Sequence, residues 1–111
     1  KDRDVSEPTR KEKLVAMLAD DPGDLFLRYA LALELHKEAS HDESLQLFTE
    51  LMAHDPPYVP AFFMAAQQLA QLERISESQA TAREGIGVAE AQQDLHAAGE
   101  MREFLASLEA C

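Results

Sequence analysis

The chain has 111 residues, of which 46% are hydrophobic, and a formal net charge of −11 at pH 7. This length fits a single domain with a continuous core, and so high a hydrophobic content excludes a disordered chain. The acidic balance disfavours nucleic-acid binding, because an acidic surface repels phosphate groups, and it leaves two interpretations open: a charge that only keeps the chain soluble, or one that steers a basic partner.

Residues 1–7 are predicted to form a flexible tail. Its charged beginning is not followed by the apolar segment of a signal peptide, and no apolar stretch of the chain approaches the ~20 residues that a membrane span needs. The one cysteine, Cys111, cannot form an internal disulfide, so the fold does not require an oxidising compartment. We therefore expect a cytoplasmic protein without a membrane partner.

Six amphipathic helices are predicted in chain order from the helical spacing of apolar side chains and from their start signals. The first start signal is a capping box at Thr9–Glu12, and the same pattern recurs at Ser40–Glu43 and Ser76–Gln79. Asp24 is a suitable N-cap for the second helix. The predicted helices are 8–20, 24–38, 41–54, 58–72, 76–91 and 94–109.

Glycines interrupt the last two predicted helices at Gly85, Gly87 and Gly99. Each costs roughly 1 kcal/mol against alanine inside a helix. Two explanations are open: these two helices approach each other closely, or the helix is frayed or bent near 85–87.

The chain also repeats itself at an offset of 34 residues. Asp21-Pro22 recurs as Asp55-Pro56, and Ala32 recurs as Ala66. Small side chains at these alanine positions let one helix of a pair lie close to the other. Proline after a helix stops it, because proline has no backbone N–H to donate.

This period and pattern resemble those of the tetratricopeptide repeat, which runs W-x2-L-G-x2-Y, then A-x3-F, then P over 34 residues. Residues 25–58 resemble it best, and residues 59–92 less well, with Ala82 in place of the aromatic residue and Glu90 in place of proline. The matching positions of the first repeat are Leu31, Ala32, Leu35, Ser44, Phe48 and Pro56. The family buries an aromatic residue between adjacent helices at the position of Phe48, so the resemblance implies that Phe48 is a core residue.

The remaining segments are interpreted from the same resemblance. Residues 8–22 resemble the second helix of a truncated repeat, and 94–109 breaks the register and is predicted to be a capping helix. The stripe expected to face the core of that helix comprises Leu95, Ala98, Met101, Phe104, Leu105 and Leu108. The resemblance implies an all-α fold, a right-handed superhelix of about six antiparallel helices.

In this family the first helices of the repeats line a concave groove that receives extended or helical peptides. The resemblance therefore implies a non-enzymatic protein-interaction module. Carried over by register, the groove positions are Phe26, Tyr29, Leu33, His36 and Lys37 in the first repeat, and Pro60, Phe63, Gln67, Ala70 and Gln71 in the second. The chain's own first or last helix is a second candidate occupant of that groove.

Tyr29 and Phe63 are 34 residues apart, so both rings are predicted to point into the groove. Glu34 and Glu38 share a helix with Tyr29, and we expect a partner with apolar side chains flanked by lysine or arginine. The Lys and Asn clamp by which some family members bind acidic chaperone tails is absent, since those positions hold tyrosine, leucine, phenylalanine and glutamine.

Self-association as a homodimer, or a role as a segment of a larger repeat protein or assembly, is the alternative function. Catalysis and metal binding lack support in the sequence. None of the usual nucleophile or phosphate-binding motifs occurs, and the histidines have neither a metal-ligand spacing nor a cysteine pair. We expect no enzyme activity, no cofactor and no metal.

Overall fold

The computed structural model of the chain describes residues 7–110, so the predicted tail at 1–7 lies outside the described residues except for its last position. Helix makes up 78% of the structure and no strand occurs in the described part, which confirms the all-α prediction. The six helices are α1 (Arg10–Asp20), α2 (Leu25–Lys37), α3 (His41–Met52), α4 (Val59–Gln71), α5 (Ile75–Ala91) and α6 (Leu95–Glu109).

The capping box at Thr9 forms as predicted. The Thr9 hydroxyl accepts from the backbone N–H of Glu12 at 3.0 Å, and the Glu12 carboxylate accepts from the backbone N–H of Thr9 at 2.8 Å. Asp24 caps α2 by accepting from the backbone N–H of Leu27 at 3.0 Å. Both caps satisfy backbone donors that the first turn of a helix leaves unpaired.

The two other predicted capping boxes are wrong. At Ser40 the backbone N–H that a box would use already donates to the carbonyl of Leu35, and the hydroxyl donates to Glu38 at 2.8 Å. Ser76 lies inside the first turn of α5, because that helix begins at Ile75.

The same kind of tight turn follows α2, α4 and α5, and it explains why the capping boxes at Ser40 and Ser76 do not form. After α2, α4 and α5 the chain closes a Schellman motif, in which a backbone N–H beyond the helix bonds to a carbonyl five residues earlier. The bonds run from Ser40 to Leu35, from Arg74 to Leu69 and from Asp94 to Ala89, at 2.9, 2.9 and 2.8 Å. The left-handed residues of the turns are Ala39, Glu73 and Gln93, with φ of 65°, 62° and 62°.

The helices belong to two compact units: an N-terminal unit, Lys1–Leu47, and a C-terminal unit, Phe48–Cys111. The division falls within α3. The repeat boundaries at 25–58 and 59–92 stay a prediction.

In the N-terminal unit α1 packs against α2, and the beginning of α3 is joined to α2 by a buried hydrogen bond. The Ser44 hydroxyl donates to the carbonyl of Ala32 at 2.7 Å, and both residues are fully buried. Since a larger side chain at either position would separate the helices, the small residues set their spacing.

The C-terminal unit repeats this device and adds a larger core. The Ser78 hydroxyl of α5 donates to the carbonyl of Ala66 in α4 at 2.6 Å. Phe48 and Leu51 are 1% and 0% exposed, which confirms the prediction that Phe48 is a core aromatic residue. The buried cluster contributed by α4, α5 and α6 comprises Val59, Phe62, Ala89, Ala98 and Met101.

Gly85 lies where α5 approaches its neighbours closely. A Cβ atom built on Gly85 would lie 2.6 Å from the Cβ of Phe62 and 2.6 Å from the Sδ of Met101. Close approach is therefore confirmed for Gly85, whereas Gly87 and Gly99 face open space. The alternative of a frayed helix near 85–87 is wrong, because α5 is continuous through both glycines.

The C-terminal helix α6 packs mainly against α5. The Arg83–Glu109 ion pair, at 2.6 Å, and the Arg102–Glu90 ion pair join the two helices. Leu95, predicted to lie on the apolar stripe, is instead 71% exposed. It is the first residue of α6, so its side chain lies beyond the part of the helix that α5 covers.

Candidate functional site

The groove residues predicted on α2 lie along one face of that helix. Phe26, Tyr29, Leu33 and His36 follow one another at steps of three or four residues, which superimpose on a helix. Phe26 is 61% exposed, and Tyr29 and Leu33 are partly exposed. Lys37 is exposed beside this face and bonds to Glu34 at 3.2 Å. The face is therefore an apolar stripe with a basic residue at its end.

The carboxylates expected to attract a basic partner are already occupied. Arg10 of α1 bonds to Glu34 at 2.9 Å, and Lys11 bonds to Glu38 at 3.0 Å. Hydrogen bonds from Lys37 and then Arg10 lower the pKa of Glu34, and those from Lys11 and Ser40 lower the pKa of Glu38. These two glutamates therefore do not require lysine or arginine residues on a partner, because α1 supplies a cation to each of them.

His36 lies where α2 turns into α3. Its Nδ1 atom is buried and has no hydrogen-bond partner within the described part of the chain. Its ring lies 5.4 Å from that of His41, with an angle of 54° between the planes. No group of three histidine, cysteine, aspartate or glutamate side chains within residues 7–110 is arranged to hold a metal ion.

On α4, in contrast to α2, a predicted groove residue packs against another helix of the chain. Phe63 is half-buried and packs edge-to-face against Phe104 of α6, with ring centroids 5.6 Å apart. Gln67 is partly exposed and Gln71 is exposed, while the adjacent Gln68 is fully buried. The last helix of the chain thus contacts the ring that was predicted to contact a partner.

Tyr29 belongs to the N-terminal unit and Phe63 to the C-terminal unit. The prediction that both rings face one groove therefore stays a prediction. Within each unit the two positions differ, since α4 shares its face with α6 while the α2 stripe keeps one large aromatic ring exposed.

A second apolar feature of the N-terminal unit was not predicted. A cleft of about 430 Å³ lies between α2 and the beginning of α3. Its lining residues are Leu31, Leu35, Asp42, Glu43, Gln46 and Leu47. In the sequence these leucines are indistinguishable from ordinary packing residues between paired helices, so periodicity alone could not identify the cleft. None of the helices in residues 7–110 is long and apolar enough to cross a membrane.

Comparison with known proteins gives relatives among solved structures. No family model matches the chain, and no curated protein matches it. The solution structure of a tetratricopeptide repeat domain protein from Salinibacter ruber is 32% identical, with a TM-score of 0.76, over 81% of this chain and 91% of that one.

A crystal structure of a tetratricopeptide repeat domain protein from Salinibacter ruber is 31% identical, with a TM-score of 0.71, over 78% of this chain and 97% of that one. The solution structure of a protein from Bordetella parapertussis is 22% identical, with a TM-score of 0.79, over 94% of this chain and 90% of that one. The Bordetella structure supports the fold alone.

Proposed function

The chain belongs to the tetratricopeptide repeat family, and from that premise we propose that it is a non-enzymatic interaction module which binds a peptide or a helix on the apolar stripe of α2. The stripe consists of Phe26, Tyr29 and Leu33. Members of this family act generally through protein partners. What we propose is which surface binds the partner and which chemistry the partner has.

The exposed ring of Phe26 is the observation that carries this proposal. Phe26 is 61% exposed, and the partly exposed Tyr29 and Leu33 lie beside it on the same face of α2. A contiguous exposed apolar surface is more informative about binding than a single exposed apolar residue. Aromatic side chains on rigid elements are frequent anchors of protein interfaces, since they bury a large area and lose little conformational entropy. Tyr29 and Leu33, one and two turns further along, extend the apolar contact.

The ion pairs between α1 and α2 do not involve the residues of this stripe. Glu34 and Glu38, which bind α1, are four residues apart and lie on another face of α2 from Phe26. They join α2 to α1, while the side chain of Phe26 stays 61% exposed. A partner is therefore expected to contribute apolar side chains at helical or extended spacing.

Basic residues flanking those apolar side chains remain part of the proposal, on account of the overall charge and not of Glu34 and Glu38. The whole chain carries a net charge of −11, so a cationic partner is attracted before contact. Apolar contact would set the affinity, and charge would set the association rate and its dependence on salt.

Selection from a displayed library of random peptides tests the proposal even though the partner is unidentified. Peptides that bind the wild-type protein are expected to lose affinity for Phe26→Ala by about 2 kcal/mol, which is roughly thirtyfold. Leu95→Ala is the matched control, because Leu95 is 71% exposed and lies on α6. Enriched peptides that bind Phe26→Ala as well as they bind the wild type would refute the proposed surface.

Self-association is the second candidate function, favoured by two further exposed apolar residues. Val15 and Met17 of α1 are 49% and 46% exposed. Light scattering across a range of protein concentrations distinguishes the two functions. A concentration-independent monomer supports peptide binding, and a dimer that Val15→Ser or Met17→Ser dissociates supports self-association.

A further inference from the structure

The cleft between α2 and α3 is lined on both helices by leucines. Leu31 and Leu35 of α2 face Leu47 of α3 across it. The buried hydrogen bond from the Ser44 hydroxyl to the Ala32 carbonyl, at 2.7 Å, fixes the two helices beside the cleft. At about 430 Å³, the opening is large enough for one or two apolar side chains of a bound segment.

This cleft is separate from the surface proposed above. Successive residues of a helix are rotated by about 100°, so Leu31 and Leu35 lie almost opposite Phe26 and Leu33 on α2. A ligand in the cleft therefore does not need the Phe26 stripe, and either surface can fail without the other.

Two carboxylates give the cleft its electrostatic character. Asp42 and Glu43, in the first turn of α3, are exposed and line the opening. Unlike Glu34 and Glu38, neither forms an ion pair with any residue in the range 7–110. The Lys11 ammonium is hydrogen-bonded to Glu38 at 3.0 Å, and the Glu43 carboxylate interacts with Lys11 only electrostatically, without a hydrogen bond.

The combination of apolar walls and carboxylates at the opening restricts the occupant. We propose that the cleft docks a basic, apolar peptide segment, in which a leucine-like side chain enters between Leu31 and Leu47 while an adjacent lysine or arginine binds Asp42 and Glu43. Arginine suits this position well, because its guanidinium can bind carboxylates through two parallel hydrogen bonds.

A second copy of the chain does not fit the same cleft. Each copy carries a net charge of −11, so two copies repel each other. A cleft lined by six residues also offers far fewer contacts than the roughly 20–30 residues a side of a stable protein interface. An acidic peptide is excluded by the same charge argument.

Titration of the ¹⁵N-labelled protein with a defined peptide tests the inference. The probe is acetyl-Gly-Leu-Arg-Leu-Arg-Gly-amide, and the comparison peptides replace both arginines by glutamate or both leucines by glycine. We expect the probe alone to shift the amide signals around Leu31, Leu35 and Leu47. Equal shifts with either comparison peptide would overturn the proposal.

Matched charge variants complete the test. Asp42→Asn with Glu43→Gln is expected to weaken probe binding about tenfold, as for the loss of two exposed charge pairs. Asp20→Asn with Asp21→Asn removes the same charge from the end of α1 and should change the affinity less than twofold. Circular dichroism verifies that both variants are folded. Equal weakening by the two pairs would mean that only the net charge attracts the peptide, and would overturn a specific cleft.

One more variant separates this inference from the proposed function. Phe26→Ala should leave binding of the probe at the cleft unchanged. If Phe26→Ala abolishes it and the shifts cluster on the α2 stripe, the peptide binds there and the cleft is refuted. Loss of library peptides in Phe26→Ala with normal probe binding would support both surfaces.

Discussion

Gly85 and Gly87, two positions apart on α5, have opposite roles. A methyl group at Gly85 would lie 2.6 Å from atoms of Phe62 and Met101, whereas the same group at Gly87 meets open space. Gly85→Ala is expected to destabilise the protein by about 1–3 kcal/mol through overpacking. Gly87→Ala is expected to stabilise it by roughly 0.5–1 kcal/mol through helix propensity. Urea denaturation measures both, and stabilisation by Gly85→Ala would contradict the close packing of α4, α5 and α6.

Replacement of phenylalanine by alanine is expected to have very different effects on stability at two positions. Phe48 is 1% exposed and Phe26 is 61% exposed. Phe48→Ala should cost about 3–5 kcal/mol, because it leaves a cavity in the core. Phe26→Ala should change the free energy of unfolding by less than about 0.5 kcal/mol. A loss below about 1 kcal/mol for Phe48→Ala in urea melts would show that this position is not part of a tight core.

At the scale of the elements, the turns that end α2, α4 and α5 each place a non-glycine residue in the left-handed region. Ala39 is one of these, with φ of 65°. Ala39→Gly should stabilise the protein by about 0.5–1 kcal/mol, since glycine adopts this backbone without strain. Ala80→Gly, at an exposed position inside α5, should destabilise it by a similar amount. Thermal melts that show the same sign for both substitutions would contradict the left-handed turn.

The ion pairs that Glu34 and Glu38 form with α1 and with Lys37 predict an acid dependence of stability. Hydrogen bonds from Lys37 and Lys11 lower the pKa of Glu34 and Glu38 from 4.5. A carboxyl whose pKa is lower in the folded state adds stability above its unfolded pKa, and this is lost as the pH falls through its folded value. We therefore expect the free energy of unfolding to decrease below about pH 4.5. Glu34→Gln with Glu38→Gln should reduce that decrease.

The control for this prediction is Glu84→Gln with Glu103→Gln. These side chains are exposed and form no ion pair within residues 7–110. Urea melts between roughly pH 3 and pH 7, a range that spans the titration of carboxyl groups, compare the two double variants. Equal reduction of the acid slope by both would assign the effect to net charge and not to the ion pairs of Glu34 and Glu38.

At the scale of the whole molecule, most of the positively charged side chains in the described range form ion pairs within the chain. Six lysines and arginines in the described range bind glutamates: Arg10, Lys11, Lys37, Arg74, Arg83 and Arg102. Acidic residues outnumber basic ones over the whole sequence, which gives a net charge of −11. Such a surface favours cationic partners in the encounter step, and its effect decreases with salt.

Removal of residues 94–111 tests what α6 contributes to solubility. The helix covers Ile86 and Val88 of α5 through a core that contains Ala98 and Met101. Its loss should expose this apolar surface and cause aggregation, measured by light scattering. Arg83→Gln with Arg102→Gln removes only the ion pairs and should leave the protein monomeric. A truncated protein that stays monomeric and equally stable would show that α6 is dispensable for the fold.

Much of the fold could be predicted from the sequence. The 34-residue repeat and the helical spacing of apolar residues identified six helices and the family. Thr9 and Asp24 were identified as caps, since both act through backbone groups only a few residues away. These features are local, so the order of residues along the chain contains the information. The left-handed turns at Ala39, Glu73 and Gln93 lack glycine and gave no such signal.

The tertiary structure decided which of the predicted site residues are available. Periodicity shows which face of a helix is apolar, but not which neighbour covers it. Phe63 therefore had the same sequence signal as Tyr29, although Phe104 packs against it. Glu34 had the pattern of a charge that attracts a partner, yet Arg10 of α1 binds it. Such pairings depend on the rotation and spacing of helices that are distant in sequence, and packing of the complete core fixes both.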